Sequence, residues 1–437
     1  MQRPAHMTIE LNETHDPARR SWLDSANVQG ADFPIQNLPF GVFTTGSGGA
    51  RGGVALGDRI VDLAALAQSG ALTDAALEAA HAASGDTLAP LLACAPPAVS
   101  ALRGELSELF REGGAGDRTL LEGMLVPIAD ATLEMPLKPT AFTDFCTSIE
   151  HIRRMAGGGP LKPGPLALPV AYNGRASSVR GSGTPVVRPC GQFTVAPGGD
   201  DYRFGPEPML DFELEFGAWL RAGTELGVPI DVAQAETLLF GCCLVNDWSA
   251  RGIQFFESML GPHLGKSFLT TISPWIVTMD ALAPFRIAAR GRGDAEPPVP
   301  AYLLDDTDRA LGGINIELAA ELTSASGASA TIAETNLAEL FWTLAQMVAH
   351  QASNGAPLEA GDLIATGTVS GAADKARACL AEISLRGGEE IVLSDGSTRR
   401  MLEDGDTLAL RGRAVADGYV PIGFGPCTGT IQPARFQ

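Results

Sequence analysis

The sequence predicts a mainly β protein with some helix, built as two domains behind a short N-terminal arm. Three observations carry this. Among 437 residues there are 51 glycines and 30 prolines, enough turn formers to favour many short strands over a helical bundle. Its apolar runs are short and punctuated, as in GGVALGDRIVDL, where Gly57-Asp58 reads as a hairpin turn between two strands. LEAGDLIATG at 358–367 is echoed by LEDGDTLALRG at 402–412, each placing Gly-Asp just before an apolar strand. Two copies make no solenoid, and the length suffices for a large core with a second domain.

Composition narrows the function. Lys and Arg number 31 against 51 Asp and Glu, a net charge of −20, so nucleic acid and anionic membrane surfaces are not expected partners. Seven cysteines at 94, 146, 190, 242, 243, 379 and 427 form no CxxC pair, which predicts free thiols in a reducing compartment. No run of 18 apolar residues occurs and the N-terminus lacks a signal-type segment, so a cytoplasmic protein is expected.

In chain order, residues 1–31 are polar and read as an irregular arm. The section 32–134 alternates strand-like runs with helical stretches at 72–84 and 98–111 and reads as a small β domain. The larger domain, 135–437, opens on Pro136 and Pro139. Thr143 or Asp144 is a candidate start for a short helix carrying Glu150 and His151, ended by the glycines at 157–159. A helix is expected over 232–242, strands over 267–278 and 314–322, a surface excursion over 290–310, and a helix over 335–351 capped by Thr335 or Asn336.

The chemistry concentrates in LDFELEFGAWL at 210–220. On a strand, Asp211, Glu213 and Glu215 share one face while Phe212, Leu214 and Phe216 share the other. Like charges about 7 Å apart repel, and acids are depleted from strands, so that face calls for a cation or for solvent. Asp247 follows its own apolar run, LLFGCCLV, and with the more distant Asp144 completes a set of oxygen donors. Oxygen-only donors select Ca²⁺ or Mg²⁺ over zinc; solvated acids on an edge strand are the competing reading. After Asp247, Arg251 and Gln254 fall on one side of a helical phase. Lys266, in LGPHLGKSF, misses phosphate-loop spacing because Gly261 is one position too close, and better fits a clamp for an oxyanion or enolate. His151 alone is a weak sign of a base.

These motifs together resemble the fumarylacetoacetate hydrolase family. The likeness runs through DFPIQNLPFGVF from 32, TDF at 143–145, LPVAYNGRASSV at 168–179, DFELEF at 211–216, NDWSARGIQ at 246–254, LGKSF at 264–268, SPW at 273–275, GDLIATGTVSG at 361–371 and DGYVPIGFG at 417–425. It implies an SH3-like N-terminal domain, a larger β-roll domain and a homodimer. It also implies Ca²⁺ or Mg²⁺ on Asp144, Glu213, Glu215 and Asp247, with Lys266 and Thr270 close to the cation and no organic cofactor. His151 corresponds to the catalytic base and Glu382 to the acid that orients it. Arg251, Gln254 and Lys266 correspond to groups that bind substrate and stabilise negative charge, and Tyr172 and Thr368 to substrate contacts. The implied reaction is hydrolysis of fumarylacetoacetate to fumarate and acetoacetate, the last step of tyrosine and phenylalanine degradation.

Three departures from the family pattern surround the substrate. Cys146 stands where a tyrosine is usual, and Asn173 where histidine is common. The 152–171 stretch is short, leaving Arg153 or Arg154 to match an arginine it usually supplies. Cys146 reads as a space-filling side chain in the substrate wall. The alternatives are a related hydrolase or decarboxylase acting on another diketo acid, and a catalytically silent metal- or metabolite-binding dimer.

Overall fold

The structure, a computed structural model, describes residues 11–46, 48–159, 161, 163–196, 199–257, 261–294 and 296–435. The expected hairpin forms at Gly57-Asp58: strands Arg51–Leu56 and Arg59–Asp62 pair antiparallel with Leu56 opposite Arg59. Strand Phe40–Thr44 pairs with Arg51–Leu56 and also with Trp275–Thr278, Phe40 lying opposite Ile276. The N-terminal strands therefore extend the sheet of the larger section. Helices Asp74–Ala83 and Pro96–Phe110 pack into the same core through Ala76, Ala79, Ala80 and Ala83 and through Leu102, Leu106 and Phe110, helical spacings that keep each set on one face.

Beyond Trp275–Thr278 the sheet continues through Leu239–Asp247, Leu214–Leu220, Leu363–Ala365, Phe142–Cys146 and Val170–Gly174. The strands Leu214–Leu220 and Leu239–Asp247 are buried at every residue, as strands covered on both faces must be. A second sheet includes Ile316–Thr323, Ser329–Asn336, Thr407–Ala414 and Cys427–Gln432. The two Gly-Asp repeats feed strands of different sheets, Leu363–Ala365 and Thr407–Ala414. Among the described residues no helix is long and apolar enough to cross a membrane.

Three expected helices are redrawn. No helix starts at Thr143 or Asp144; Phe142–Cys146 is a strand held between Leu363–Ala365 and Val170–Gly174, and the helix begins at Ile149. Ser148 caps it, its Oγ accepting from the His151 amide at 3.1 Å. The helix expected over 232–242 ends at Leu238, because 239–242 already belong to the central strand. The helix expected over 335–351 spans only Leu344–Gln351. Thr335 and Asn336 end a strand paired with Ile316–Thr323, and residues 337–341 show helical spacing because their side chains fold onto the core from a short turn.

Candidate active site and metal centre

Strand register brings the acids together. Asp144 lies opposite Tyr172 on one side and Ala365 on the other, Gly217 lies opposite Ala365, and Asp247 lies opposite Thr270. Glu215 is on Leu214–Leu220, while Glu213 sits in the break between that strand and Leu210–Asp211. The side chains of Asp144, Glu213, Glu215 and Asp247 are all buried and each offers an oxygen within 4.8 Å of the others. They are not solvated acids on an edge. Asp211 is re-aimed by the break: its oxygens accept from Arg251 Nε at 2.8 Å and from the amides of Leu380 and Ala381 at 2.6 and 3.0 Å.

The cluster holds more negative charge than its neighbours balance. Lys266 Nζ donates to Glu213 and, at 2.7 Å, to Asp247, which also accepts from Tyr172 Oη at 2.7 Å and Thr270 Oγ1 at 3.0 Å. Burial alone would raise Glu213, but Lys266 and Arg251 overcome it and hold that carboxyl below the usual range. At Asp144 and Glu215 Lys266 pulls the same way but is outweighed. Burial and then the neighbouring acids, Asp247 for the one and Asp144 for the other, push both well above the carboxylate range. Asp144 Oδ1 and both oxygens of Glu215 are buried without a hydrogen-bond partner. Orphaned carboxylate oxygens within one cluster of four buried acids fit a hard divalent cation, which would replace the missing donors. Lys266 and Thr270 stand beside this cradle as donors to its acids; an ammonium has no lone pair for a cation.

His151 lies on the cradle's rim, on helix Ile149–Met155. Its Nδ1 is 2.6 Å from Glu382 Oε1, on the short helix Leu380–Ile383. Its Nε2 is 4.0 Å from Glu213 Oε1, beyond hydrogen-bond reach. A proton on Nδ1 satisfies Glu382 and leaves the Nε2 lone pair free as a base. Burial opposes ionisation of Glu382, yet His151, Ser370 and Arg154 bring it down to about 2, so it is a carboxylate at neutral pH.

Arg251 and Gln254 share helix Arg251–Glu257, with Arg251 donating to Gln254 Oε1 at 3.0 Å. Its Nη2 approaches Glu213 Oε1 at 2.8 Å as an ion pair without hydrogen-bond alignment. Gly265 lets the Lys266 loop lie against this helix, since a Cβ there would meet the Gln254 amide nitrogen at 2.7 Å. Gly367, at φ 75°, lets the next loop cross the Asp144 strand, where a Cβ would sit 2.0 Å from Phe145 O. The neighbouring Thr368 Oγ1 is buried and unpartnered. Cys146 ends the Asp144 strand, and burial followed by Glu213 raises its thiol to about 12, so it is no thiolate.

Sequence reading did not single out the groups that hold these side chains. Glu207 accepts from the amides of Met209, Gly252 and Ile253 and so fixes the start of the Arg251 helix. Ser370 Oγ donates to Glu382 Oε1 at 2.7 Å. The only local signal was their place inside or beside the motifs.

A buried four-carboxylate cradle beside a histidine oriented by a carboxylate is the equipment of a metal-assisted hydrolase. The comparisons agree with that class. Residues 36–136 match the description "Fumarylacetoacetase N-terminal" and residues 140–432 match "Fumarylacetoacetate (FAA) hydrolase C-terminal". The chain belongs to the fumarylacetoacetate hydrolase family. It is 40% identical to a fumarylacetoacetase of Oryza sativa subsp. japonica, over 95% of this chain and 97% of that one. Against the fumarylacetoacetase of Homo sapiens it is 38% identical, over 93% and 98%. A solved fumarylacetoacetate hydrolase from Exiguobacterium antarcticum aligns at 17% identity and a TM-score of 0.49, over 91% of this chain and 100% of that one.

Proposed function

We infer that this protein hydrolyses the carbon–carbon bond of fumarylacetoacetate to give fumarate and acetoacetate. The observation that carries the reading is the juxtaposition of the His151–Glu382 pair with the four-carboxylate cradle. Asp144, Glu213, Glu215 and Asp247 would hold the cation, Ca²⁺ or Mg²⁺ by their all-oxygen chemistry, and no organic cofactor is required. When bound, it supplies Lewis-acid polarisation to a β-diketone whose two oxygens suit chelation.

Around it the chain's own residues do the rest. His151 Nε2 takes a proton from water as the water oxygen adds to the carbonyl next to the fumaryl double bond. Arg251, Gln254 and Lys266 steady the oxyanion. Its collapse breaks the bond to the central methylene, whose electron pair becomes the enolate of acetoacetate; His151 returns the proton to that carbon. Tyr172, Thr368 and Cys146 would line the substrate. The same reading takes the protein as a cytoplasmic homodimer in the last step of tyrosine and phenylalanine degradation, with domains at 32–134 and 135–437. Seven free cysteines support the reducing compartment.

The test supplies metal-loaded protein with fumarylacetoacetate and close acylpyruvates, follows loss of the diketone absorbance and identifies the products. Fumarate and acetoacetate are expected. No loss above a His151→Ala control would sink the assignment.

A further inference from the structure

Two arginines were candidates for the substrate arginine of the short 152–171 stretch, and the structure gives them different work. Arg153 is half exposed and donates to Glu150 Oε1 at 2.6 Å, one turn back on its own helix. Arg154 turns inward. Its Nη1 donates to Glu382 Oε2 at 3.0 Å, and its Nη2 donates to the carbonyls of Gly371 and Ala372 at 2.9 and 3.1 Å. Neither guanidinium is directed at the four acids.

We propose that Arg154 is a positioning residue for the base, the third member of a His151–Glu382–Arg154 relay, and not a binder of the substrate carboxylate. The inference rests on the hydrolytic reading of the same site. Glu382 has two oxygens with separate duties. Oε1 accepts from His151 Nδ1 at 2.6 Å and from Ser370 Oγ at 2.7 Å, while Oε2 accepts from Arg154. With Oε2 held, the carboxylate plane cannot rotate, so Oε1 stays in line with the imidazole and fixes both its tautomer and the direction of Nε2. Arg154 does this from the helix that carries His151 itself, three residues further on. Its second hold, on the 371–372 carbonyls, ties that helix to the loop leading from Thr368 and Ser370. One planar fork thus spans the helix of the base, the orienting acid and the substrate loop. A lysine has the charge but not the planar fork, so it cannot reproduce the two-nitrogen hold on Glu382 Oε2 and the 371–372 carbonyls together.

A substrate-binding arginine and a positioning arginine lose different kinetic constants when removed. In Arg154→Met, kcat is expected to fall on the order of 10- to 100-fold with KM within about twofold, the size of effect seen when a partner behind a working side chain is lost. Arg154→Lys should recover part of kcat. Ca²⁺ affinity measured by calorimetry should match wild type in both variants, because the cradle is untouched. In wild type the His151 Nδ1 proton, shared with Glu382, should give a low-field proton resonance that shifts or broadens in Arg154→Met. A raised KM at unchanged kcat would assign Arg154 to substrate binding and overturn the proposal, as would an unaltered resonance. If wild type itself turns over no diketone, the hydrolytic reading fails by itself, and the resonance still decides what Arg154 does to His151.

Discussion

Cys146 is the residue most easily misread, since a thiol five positions before a buried histidine suggests a nucleophile. Burial raises that thiol to about 12, and the geometry gives His151 to Glu382 instead. Cys146→Ser should therefore keep kcat within about twofold of wild type, whereas loss of turnover with Ca²⁺ binding intact would overturn the space-filling reading. Glu382 titrates in the opposite sense. Its folded pKa lies at about 2 against an ordinary 4.5, so the stability it contributes is complete above 4.5 and is lost as pH falls from there towards 2. Melting temperatures taken across that window should drop less steeply in Glu382→Gln than in wild type. At this scale residue types were legible in the motifs, because ligands and bases are few kinds of side chain. The His151–Glu382 pair came through the family resemblance, but the Arg154 contact did not: Arg154 and Glu382 lie 228 positions apart, and nothing local in either stretch says that they meet.

Elements were read well where their boundaries are local and poorly where pairing decides them. The hairpin at Gly57-Asp58 and the helices Asp74–Ala83 and Pro96–Phe110 follow from turn chemistry and spacing. Helix Leu344–Gln351 does not, because Thr335 and Asn336 are taken into a strand by pairing with Ile316–Thr323; the cap is Thr343, whose Oγ1 accepts from the Gln346 amide at 3.1 Å while Gln346 Oε1 accepts from the Thr343 amide. The same hydroxyl donates to Asp308 Oδ1 at 2.7 Å. Thr343→Ala should cost about 1–2 kcal/mol in urea unfolding, the usual loss for a cap. Asp308 is a liability at neutral pH. Burial raises it from 3.8 to about 6, so its contribution is intact below 3.8 and is lost as pH rises through 6. Asp308→Asn keeps an acceptor for Thr343 and removes the buried charge. It should be more stable than wild type by about 1–3 kcal/mol at pH 8, with the gain vanishing near pH 4; no gain at pH 8 would show that the carboxylate is better solvated than its burial implies.

For the whole molecule, mainly β architecture was legible from glycine, proline and short apolar runs, whereas the pairing of Phe40–Thr44 with Trp275–Thr278 was not, because register across more than 200 residues leaves no local trace. That continuous sheet matters for the site: Leu239–Asp247 pairs with Trp275–Thr278 on one side and Leu214–Leu220 on the other, so the acids stand on the interior of the fold and their repulsion acts against the fold itself. Metal and stability are then coupled. A ligand that binds only the folded state adds RT ln(1 + [L]/Kd), about 2.7 kcal/mol at a hundredfold excess over Kd. Chelator should lower the melting temperature of wild type, and Ca²⁺ or Mg²⁺ should restore it. Glu215 separates the two halves of the effect, because its carboxyl is raised by burial and by Asp144 and has no donor of its own. Metal-free Glu215→Gln, freed of a buried carboxyl that the fold resists ionising, should melt at or above metal-free wild type, yet gain much less on adding Ca²⁺. A variant that gained as much as wild type would remove Glu215 from the ligand set, and a wild type indifferent to both chelator and cation would remove the metal centre altogether.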